Sequence, residues 1–388
     1  MLKKKMLVSL ALTVTMAATA FAGCGSSDNT PSDDKKVFKI GGIGPTTGDN
    51  AAYGDAVEKA SKLAAEEINK DGGINGNKVE FKFEDDESDA EKSVNAYNTL
   101  KDWGMQMLVG TVTSAPCIAV ATETANDNMF LLTPSATSVD SIAPDNAFRV
   151  CFSDPAQGNK SAEYIGKNNI AKKVAVIYDS SSPYSSGIYE SFKKGAKDNG
   201  IDVVAAEAFT ADSKSDFKVQ LQKAEDAGAE LIFLPIYYTE ASLILKQASD
   251  MGINTKFFGC DGLDGLLGVK NFDSKLAEGV MLLTPFAADA QDETTQKFVK
   301  AYKDKYDGET PIQFAADAYD ALYAIKAAGD QAKLTPDMSV SDIGDAMKKA
   351  MVDITVDGVT GKIDWSENGE PEKEPKAVVI ENGTYVAM

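Results

Sequence analysis

The strongest constraint on the fold is an alternation that begins at Val37 and runs for about 250 residues. Short apolar runs alternate with stretches of helical period ten or more residues long. Strands separated by helices of that length cannot pair as hairpins; they pair in parallel, with helices covering both faces of the sheet. The first unit starts with the strand "VFKIGGIG". A helix over 51–70 follows, with Ala56, Ala60, Leu63, Ala64 and Ile68 on one face. The strand "KVEFKFE" (78–84), a helix near 89–103, "MQMLVG", a helix from 115, "MFLLTP" and "AFRV" complete it. A second unit begins near Ala156 with a helix, then "KVAVIYD" (173–179), a helix over 184–198 and "IDVVAAEAF". A helix over 215–227, "ELIFLPIY" (230–237), a helix over 240–250 and "KFFG" follow. The expected class is α/β, with two doubly wound lobes in series.

After "VMLLTP" (280–285) the pattern becomes mostly helical, over 291–306, 313–328 and 341–350. The last apolar stretches, near "GKIDW" and "KAVVIENGTYVAM", read as a hairpin, with Asn382-Gly383 favouring a tight turn. This tail is too short in strands for a third sheet domain, so it returns to complete the earlier lobes and the chain crosses between them several times.

The N-terminus reads separately. Lys3, Lys4 and Lys5 precede an apolar run, Met6 to Ala20, and "FAGC" at 21–24. A basic start, a short apolar stretch and a small-residue cleavage site form a secretory signal, and the run is short for a membrane span. "FAGC" resembles the bacterial lipobox, with Phe21 where an aliphatic residue is usual. The resemblance implies cleavage of residues 1–23 and lipidation of Cys24; the alternative is an ordinary cleaved signal with a free cysteine. Residues 24–36 are a polar linker.

Composition removes most chemistry. The chain contains no histidine, which excludes Ser-His-Asp and Cys-His catalysis and histidine metal sites. Neither Gly-Lys step is followed by Ser or Thr, so no Walker A loop is present, and no CxxC pair occurs. The net charge of −20 becomes more negative once the leader lysines are removed, which argues against nucleic acid as a partner. Cys117, Cys151 and Cys260 are widely spaced and odd in number, so they read as buried thiols. "GGIGPTTG" (41–48) has the wrong spacing for a dinucleotide loop, and "EDDES" (84–88) reads as a solvated strand end rather than a metal site. No cofactor is implied. "LVGTVTSAP" (108–116) is more informative: an apolar strand breaks at Gly110 into hydroxyls before a helix. Such a loop either caps the helix or cradles an anion on hydroxyls and free N–H groups.

Six segments in one order give a resemblance. They are "KIGGIGPTTGDNAAYGDA" (39–56), "EEINKDGGINGNKVEFKFEDDESD" (66–89), "LVGTVTSAP", "LLTPSATS" (131–138), "PIYYTEA" (235–241) and "FFGCDGL" (257–263). Together they resemble the branched-chain amino-acid-binding proteins, the periplasmic ligand-binding components of ABC importers. The likeness spans essentially everything after the linker. It implies two Rossmann-like lobes joined by a three-crossover hinge, the type I periplasmic-binding-protein fold. The implied lobes are 37–153 with 285–355, and 154–284 with 356–388.

The same resemblance assigns roles to residues. Ser114 inherits the place of hydroxyl and N–H donor to the carboxylate of a free amino acid. Ser135, through its backbone, and Thr137, through its hydroxyl, form a second anchor, while Val112 and Thr113 shape the same pocket. These loops end strands at their carboxyl ends, where open α/β sheets bind ligands. Asp261 matches the acidic position that receives the ammonium; Asp264 competes for that role, although its glycine-rich turn also fits capping. Tyr184 and Tyr237 match second-lobe positions that close over the ligand, and Tyr53 and Phe314 match first-lobe positions near its side chain. For all four aromatics the competing role is core packing. The family's first-lobe cysteine pair is missing, since its positions fall near Ser88 and at Thr113. Alanines follow Phe314, which changes the side-chain pocket. Arg149 is either a carboxylate clamp or, preferably, a structural salt bridge beside a crossing.

The expected protein is a monomeric, non-enzymatic, lipid-anchored solute-binding protein outside the cytoplasmic membrane. It captures a branched-chain or other neutral amino acid and delivers it to ABC permease and ATPase subunits. The alternative is a sensor or binder of the same fold for an amide, urea or an aromatic acid.

Overall fold

The computed structural model describes residues 37–388, so the leader, the linker and Cys24 lie outside the described residues. The first sheet is parallel throughout, ordered β2-β1-β3-β4-β5. Its strands are β1 (Phe38–Gly44), β2 (Val79–Asp85), β3 (Met107–Gly110), β4 (Phe130–Thr133) and β5 (Ala147–Arg149). Helices α1 (Ala51–Lys70), α2 (Ala90–Trp103) and α3 (Ser114–Asp127) make the returns. Every residue of β3 and β4 is buried, as their unbroken apolar runs require in a sheet covered on both faces.

The second sheet is ordered β14-β13-β10-β9-β8-β6-β7. Its parallel part consists of β6 (Lys173–Asp179), β7 (Asp202–Phe209), β8 (Leu231–Leu234), β9 (Lys256–Gly259) and β10 (Met281–Thr284). Helices α4 (Asp154–Lys167), α5 (Pro183–Asp198), α6 (Lys218–Asp226) and α7 (Tyr238–Met251) belong to it. The hairpin β13 (Lys376–Glu381) and β14 (Thr384–Ala387) closes one edge antiparallel to β10. Asn382 and Gly383 both have positive φ, +52° and +73°, which matches the strands' twist in a two-residue turn.

Between β10 and β13 the chain revisits the first lobe. It lays down α8 (Glu293–Lys305), α9 (Gln313–Gln331), α10 (Val340–Met351) and a small hairpin of β11 (Thr355–Gly358) and β12 (Gly361–Asp364). Three crossings therefore join the lobes. The last lies beyond the expected boundary at 355. Val356, Ile363 and Trp365 pack into the first-lobe core with Leu322, Ile325 and Met347, and the Trp365 indole donates to the Arg149 carbonyl at 2.7 Å. "GKIDW" thus pairs with a strand the sequence did not announce, because only Val356 of β11 is buried. Strand β8 also ends at Leu234, earlier than expected; Pro235 stops the ladder and Tyr237 becomes the N-cap of α7.

Asp86 corrects the reading of "EDDES" as wholly solvated. It is fully buried, accepts the Ser88 N–H at 2.9 Å, and burial raises its pKa to about 7. Cys117, Cys151 and Cys260 are free, buried thiols. No described helix is long and apolar enough to cross a membrane.

Candidate functional site

The site grows from two turns at the carboxyl ends of β3 and β4. Gly110 ends β3 at φ +140°, and a side chain there would meet the Ile43 carbonyl at 2.7 Å. Helix α3 then starts at Ser114 with Thr113 as N-cap, but no side chain caps it. The Thr113 hydroxyl is buried without a partner. Helix starts leave N–H groups unmatched, and here the Tyr237 hydroxyl lies against the Ser114 N–H. Ser114 Oγ accepts the Ser138 N–H at 3.2 Å, which leaves the Ser114 hydroxyl proton free to point elsewhere.

The second turn lies alongside. Ser135 Oγ donates to the Val112 carbonyl at 2.8 Å and ties the two turns together. The Ser135 N–H closes on Thr133 Oγ1 at 3.3 Å, so the backbone group Ser135 can offer a ligand is its carbonyl. The Thr137 hydroxyl makes no well-formed hydrogen bond.

The second lobe presents acids and rings to these turns. Asp261 opens a short 3₁₀ turn after β9 and is 2% exposed. Tyr184, on α5, donates to Asp261 Oδ1 at 2.7 Å, and Gln157 Oε1 accepts the Asp261 N–H at 3.1 Å. Gly262 permits this crowding, since a side chain there would lie 2.5 Å from the Tyr184 hydroxyl. Burial raises the Asp261 pKa to about 6, against the opposing hydrogen bonds of Tyr184 and Gln157.

Asp154, the first residue of α4, is an acid the sequence reading missed. It is 2% exposed, its Oδ1 has no partner, and burial pushes its pKa well up; the nearby Asp261 adds to the rise, while Thr137 and Arg149 oppose it. Gln157 Nε2 is likewise buried and unpartnered. A sequence signal existed in "SDP", but it reads equally well as a helix start.

The aromatics join the lobes. Tyr184 stacks on Tyr237 at 4.7 Å between centroids, Tyr237 meets Tyr53 edge-on at 5.7 Å, and Tyr53 stacks on Phe314 at 4.0 Å. The Tyr53 hydroxyl donates to the Gly262 carbonyl, across the lobes. Further out, Lys214 Nζ lies 2.6 Å from Asp49 Oδ2, and Thr239 Oγ1 donates to the Asp49 carbonyl at 2.6 Å. The lobes are closed on one another.

The other two candidates stand apart from this cluster. Asp264 Oδ2 accepts the N–H of Gln313, the first residue of α9, at 2.7 Å, so it caps a first-lobe helix. The Arg149 guanidinium is fully buried behind the Ser135–Thr137 turn, bonded to main-chain carbonyls. Hollows of about 450 and 830 Å³ occur beside α9 and β11, and beside the second crossing, but Ser114, Thr137 and Asp261 line neither. No group of three or more acids or cysteines among the described residues is placed to hold a metal ion.

The two turns and the buried acids Asp154 and Asp261 thus gather around the rings that join the lobes, with Ser114 and both acids near Tyr237. Comparison with known proteins gives the family. The model of the family described as periplasmic binding protein matches residues 37–383. A Leu/Ile/Val-binding protein homolog of Brucella melitensis biotype 1 is 33% identical over 376 residues, covering 94% of each chain. A leucine-, isoleucine-, valine-, threonine- and alanine-binding protein of Pseudomonas aeruginosa is 29% identical, covering 91% of each. A branched-chain amino acid transporter substrate-binding protein of Streptococcus pneumoniae, solved with isoleucine, superposes with a TM-score of 0.82 at 30% identity. That match covers 91% of this chain and 98% of the other. The chain belongs to the periplasmic binding protein family and to the branch that contains the Leu/Ile/Val-binding proteins: an extracytoplasmic solute-binding protein that holds a small ligand between two lobes and delivers it to an ABC permease.

Proposed function

We propose that the ligand is a free neutral amino acid, held as a zwitterion. The support is a set of buried polar groups of opposite chemistries: the Thr113 and Thr137 hydroxyls and Asp154 Oδ1 lack hydrogen-bond partners, and Asp261 is a buried acid held by Tyr184. Thr113, Ser114 and Thr137 offer hydroxyls and N–H groups to a carboxylate. Asp261 offers a carboxylate to an ammonium, and Asp154, beside Thr137, is a second buried acid. Leaving such groups unmatched costs about 1–3 kcal/mol each, more when charged, and a zwitterion answers both sides at once. Ligand docks on the first lobe at Ser114, the Ser135 carbonyl and Thr137; closure then adds Tyr184, Tyr237 and Asp261. Tyr53, Val112 and Phe314 enclose the ligand's side chain, which accords with the aliphatic amino acids named for the relatives. The protein works as a monomer anchored to the membrane by lipid on Cys24.

Calorimetric titration with L-leucine and with its deaminated analogue, 4-methylpentanoate, tests the reading. Leucine is expected to bind at least a hundredfold tighter. Equal affinity, or tighter binding of the acid, refutes an ammonium site and favours a binder of organic acids.

A further inference from the structure

Arg149 is the only arginine in 388 residues; every other basic side chain is a lysine. A planar guanidinium differs from an ammonium in presenting several N–H groups in a rigid fork. Here the fork is fully buried, and Nη1 donates to two successive carbonyls, Ala136 at 3.1 Å and Thr137 at 2.5 Å. Nε lies 3.2 Å from Glu370 Oε2, whose side chain is 31% exposed. The third crossing holds the Arg149 backbone in place: its N–H reaches the Gly369 carbonyl at 3.1 Å, and its carbonyl accepts the Trp365 indole at 2.7 Å.

The chemistry follows from which peptide units are gripped. The Ala136 carbonyl shares a peptide with the Thr137 N–H, and the Thr137 carbonyl shares one with the Ser138 N–H. Amide resonance links the two ends of a peptide, so a cation on the oxygen makes the N–H a stronger donor. The Ser138 N–H in turn donates to Ser114 Oγ at 3.2 Å, which strengthens the Ser114 hydroxyl as a donor.

We propose that Arg149 is a positioning residue for the ligand's carboxylate. From behind the turn it orients and polarises two peptides, so that its charge reaches the ligand through the Thr137 N–H and the Ser114 hydroxyl without contact. This rests on Ser114 and Thr137 forming the carboxylate anchor. Lysine would hold the carbonyls less firmly: Nη1 alone grips both, but the planar guanidinium is also fixed from Nε beside Glu370, whereas an ammonium on a flexible stem has no second nitrogen to orient it.

The test compares L-leucine with L-leucinamide, which keeps the ammonium and side chain but lacks the charged carboxylate. Arg149→Lys is expected to weaken leucine about tenfold or more and leucinamide less than threefold, so the preference for the acid collapses. Glu370→Gln keeps both carbonyl contacts and is expected to keep the preference. Equal losses of both ligands in Arg149→Lys would overturn the proposal and reduce Arg149 to packing. Wild-type protein without a preference for leucine would instead refute the anchor reading. A measurement on the unmutated protein covers a variant that fails to fold. With a single arginine, selective ¹⁵N-arginine labelling gives one guanidinium spin system, which needs no assignment. Its Nη protons are expected to shift when leucine binds and much less with leucinamide. Equal shifts for the two ligands would overturn the proposal.

Discussion

Asp261→Asn separates binding from stability, and the two effects carry opposite signs. Asparagine keeps the shape and an oxygen that accepts the Tyr184 hydroxyl, now 2.7 Å from Asp261 Oδ1. Removing one partner of a buried ion pair costs about 3–5 kcal/mol. Asparagine still offers the ammonium an oxygen, which places the loss at the lower end. The expected weakening of leucine is about a hundredfold, by the usual conversion of free energy to affinity. Stability without ligand moves the other way. The Asp261 pKa is raised from 3.8 to about 6, so the folded state holds its proton more tightly than the unfolded chain does. That contribution is favourable below about pH 4 and is lost as pH rises to about 6. Above that, the ionised group costs the empty protein about 3 kcal/mol. Asparagine carries no such cost, so the ligand-free variant should melt several degrees higher at pH 7.5. Its stability should also decline less between pH 4 and 6 than that of the wild type. Scanning calorimetry of the empty proteins, with titration of leucine and 4-methylpentanoate, reads both effects. A variant that melts lower and still prefers the amine refutes the argument, since Asp261 would then serve the turn and not the ligand.

Three further outcomes are expected. Ser114→Ala should weaken leucine about tenfold to a hundredfold with little change in melting, because a hydrogen bond to a charged group contributes about 1.5–3 kcal/mol; unchanged affinity by calorimetry would move the carboxylate elsewhere. Asp49→Asn removes the exposed cross-lobe pair with Lys214 and should raise the leucine off-rate by no more than about fivefold, an effect that fades in high salt; stopped-flow tryptophan fluorescence measures it, and a larger change would mean that the latch drives closure. Cys24→Ala should release protein from the membrane or leave its leader uncleaved; detergent-phase partitioning identical to the wild type would remove the lipid anchor.

The alternation of apolar runs and helical periods located the strands well because both sheets are buried on two faces. Where burial is thin, the pattern fails: β11 has one inward residue and gave no signal. The candidate site's local turns, at Thr113-Ser114 and Ser135–Thr137, were legible because a strand breaks there into hydroxyls. The site was not legible where distant chain decides. Asp261 and Asp264 stand three residues apart in a glycine-rich turn, and only the Gln313 N–H, 49 positions away, makes the second one a helix cap. Asp154 begins a helix after serine and before proline, so its local sequence reads as capping. What turns it into a cleft acid is the packing of α4 on α5, where a side chain at Gly187 would lie 2.7 Å from Asp154 Oδ2. Arg149 shows the same limit: its two local readings, clamp or salt bridge, omit the main-chain carbonyls it grips.

The balance of terms in the cleft explains why closure should depend on ligand. The contacts that join the lobes without one are modest. The Lys214–Asp49 pair is 37% and 56% exposed, which makes it worth at most about 1 kcal/mol. The Tyr53–Gly262 hydrogen bond and the edge-on ring contacts of Tyr53 with Tyr237 and Tyr238 each add about 0.5–1.5 kcal/mol. Against them stands the desolvation of the buried acids Asp261 and Asp154, whose pKa values burial raises. None of the joining contacts is large, so the empty lobes should interconvert rather than lock. On the proposed reading, an ammonium paired with Asp261 is enclosed only in the closed arrangement, while a carboxylate at Ser114 and Thr137 is met on the first lobe alone in either arrangement. Differential affinity for one state is what shifts a population, and about 5.5 kcal/mol carries it from 1:99 to 99:1. The amine end of the ligand therefore does most of the closing, and the acid end most of the docking.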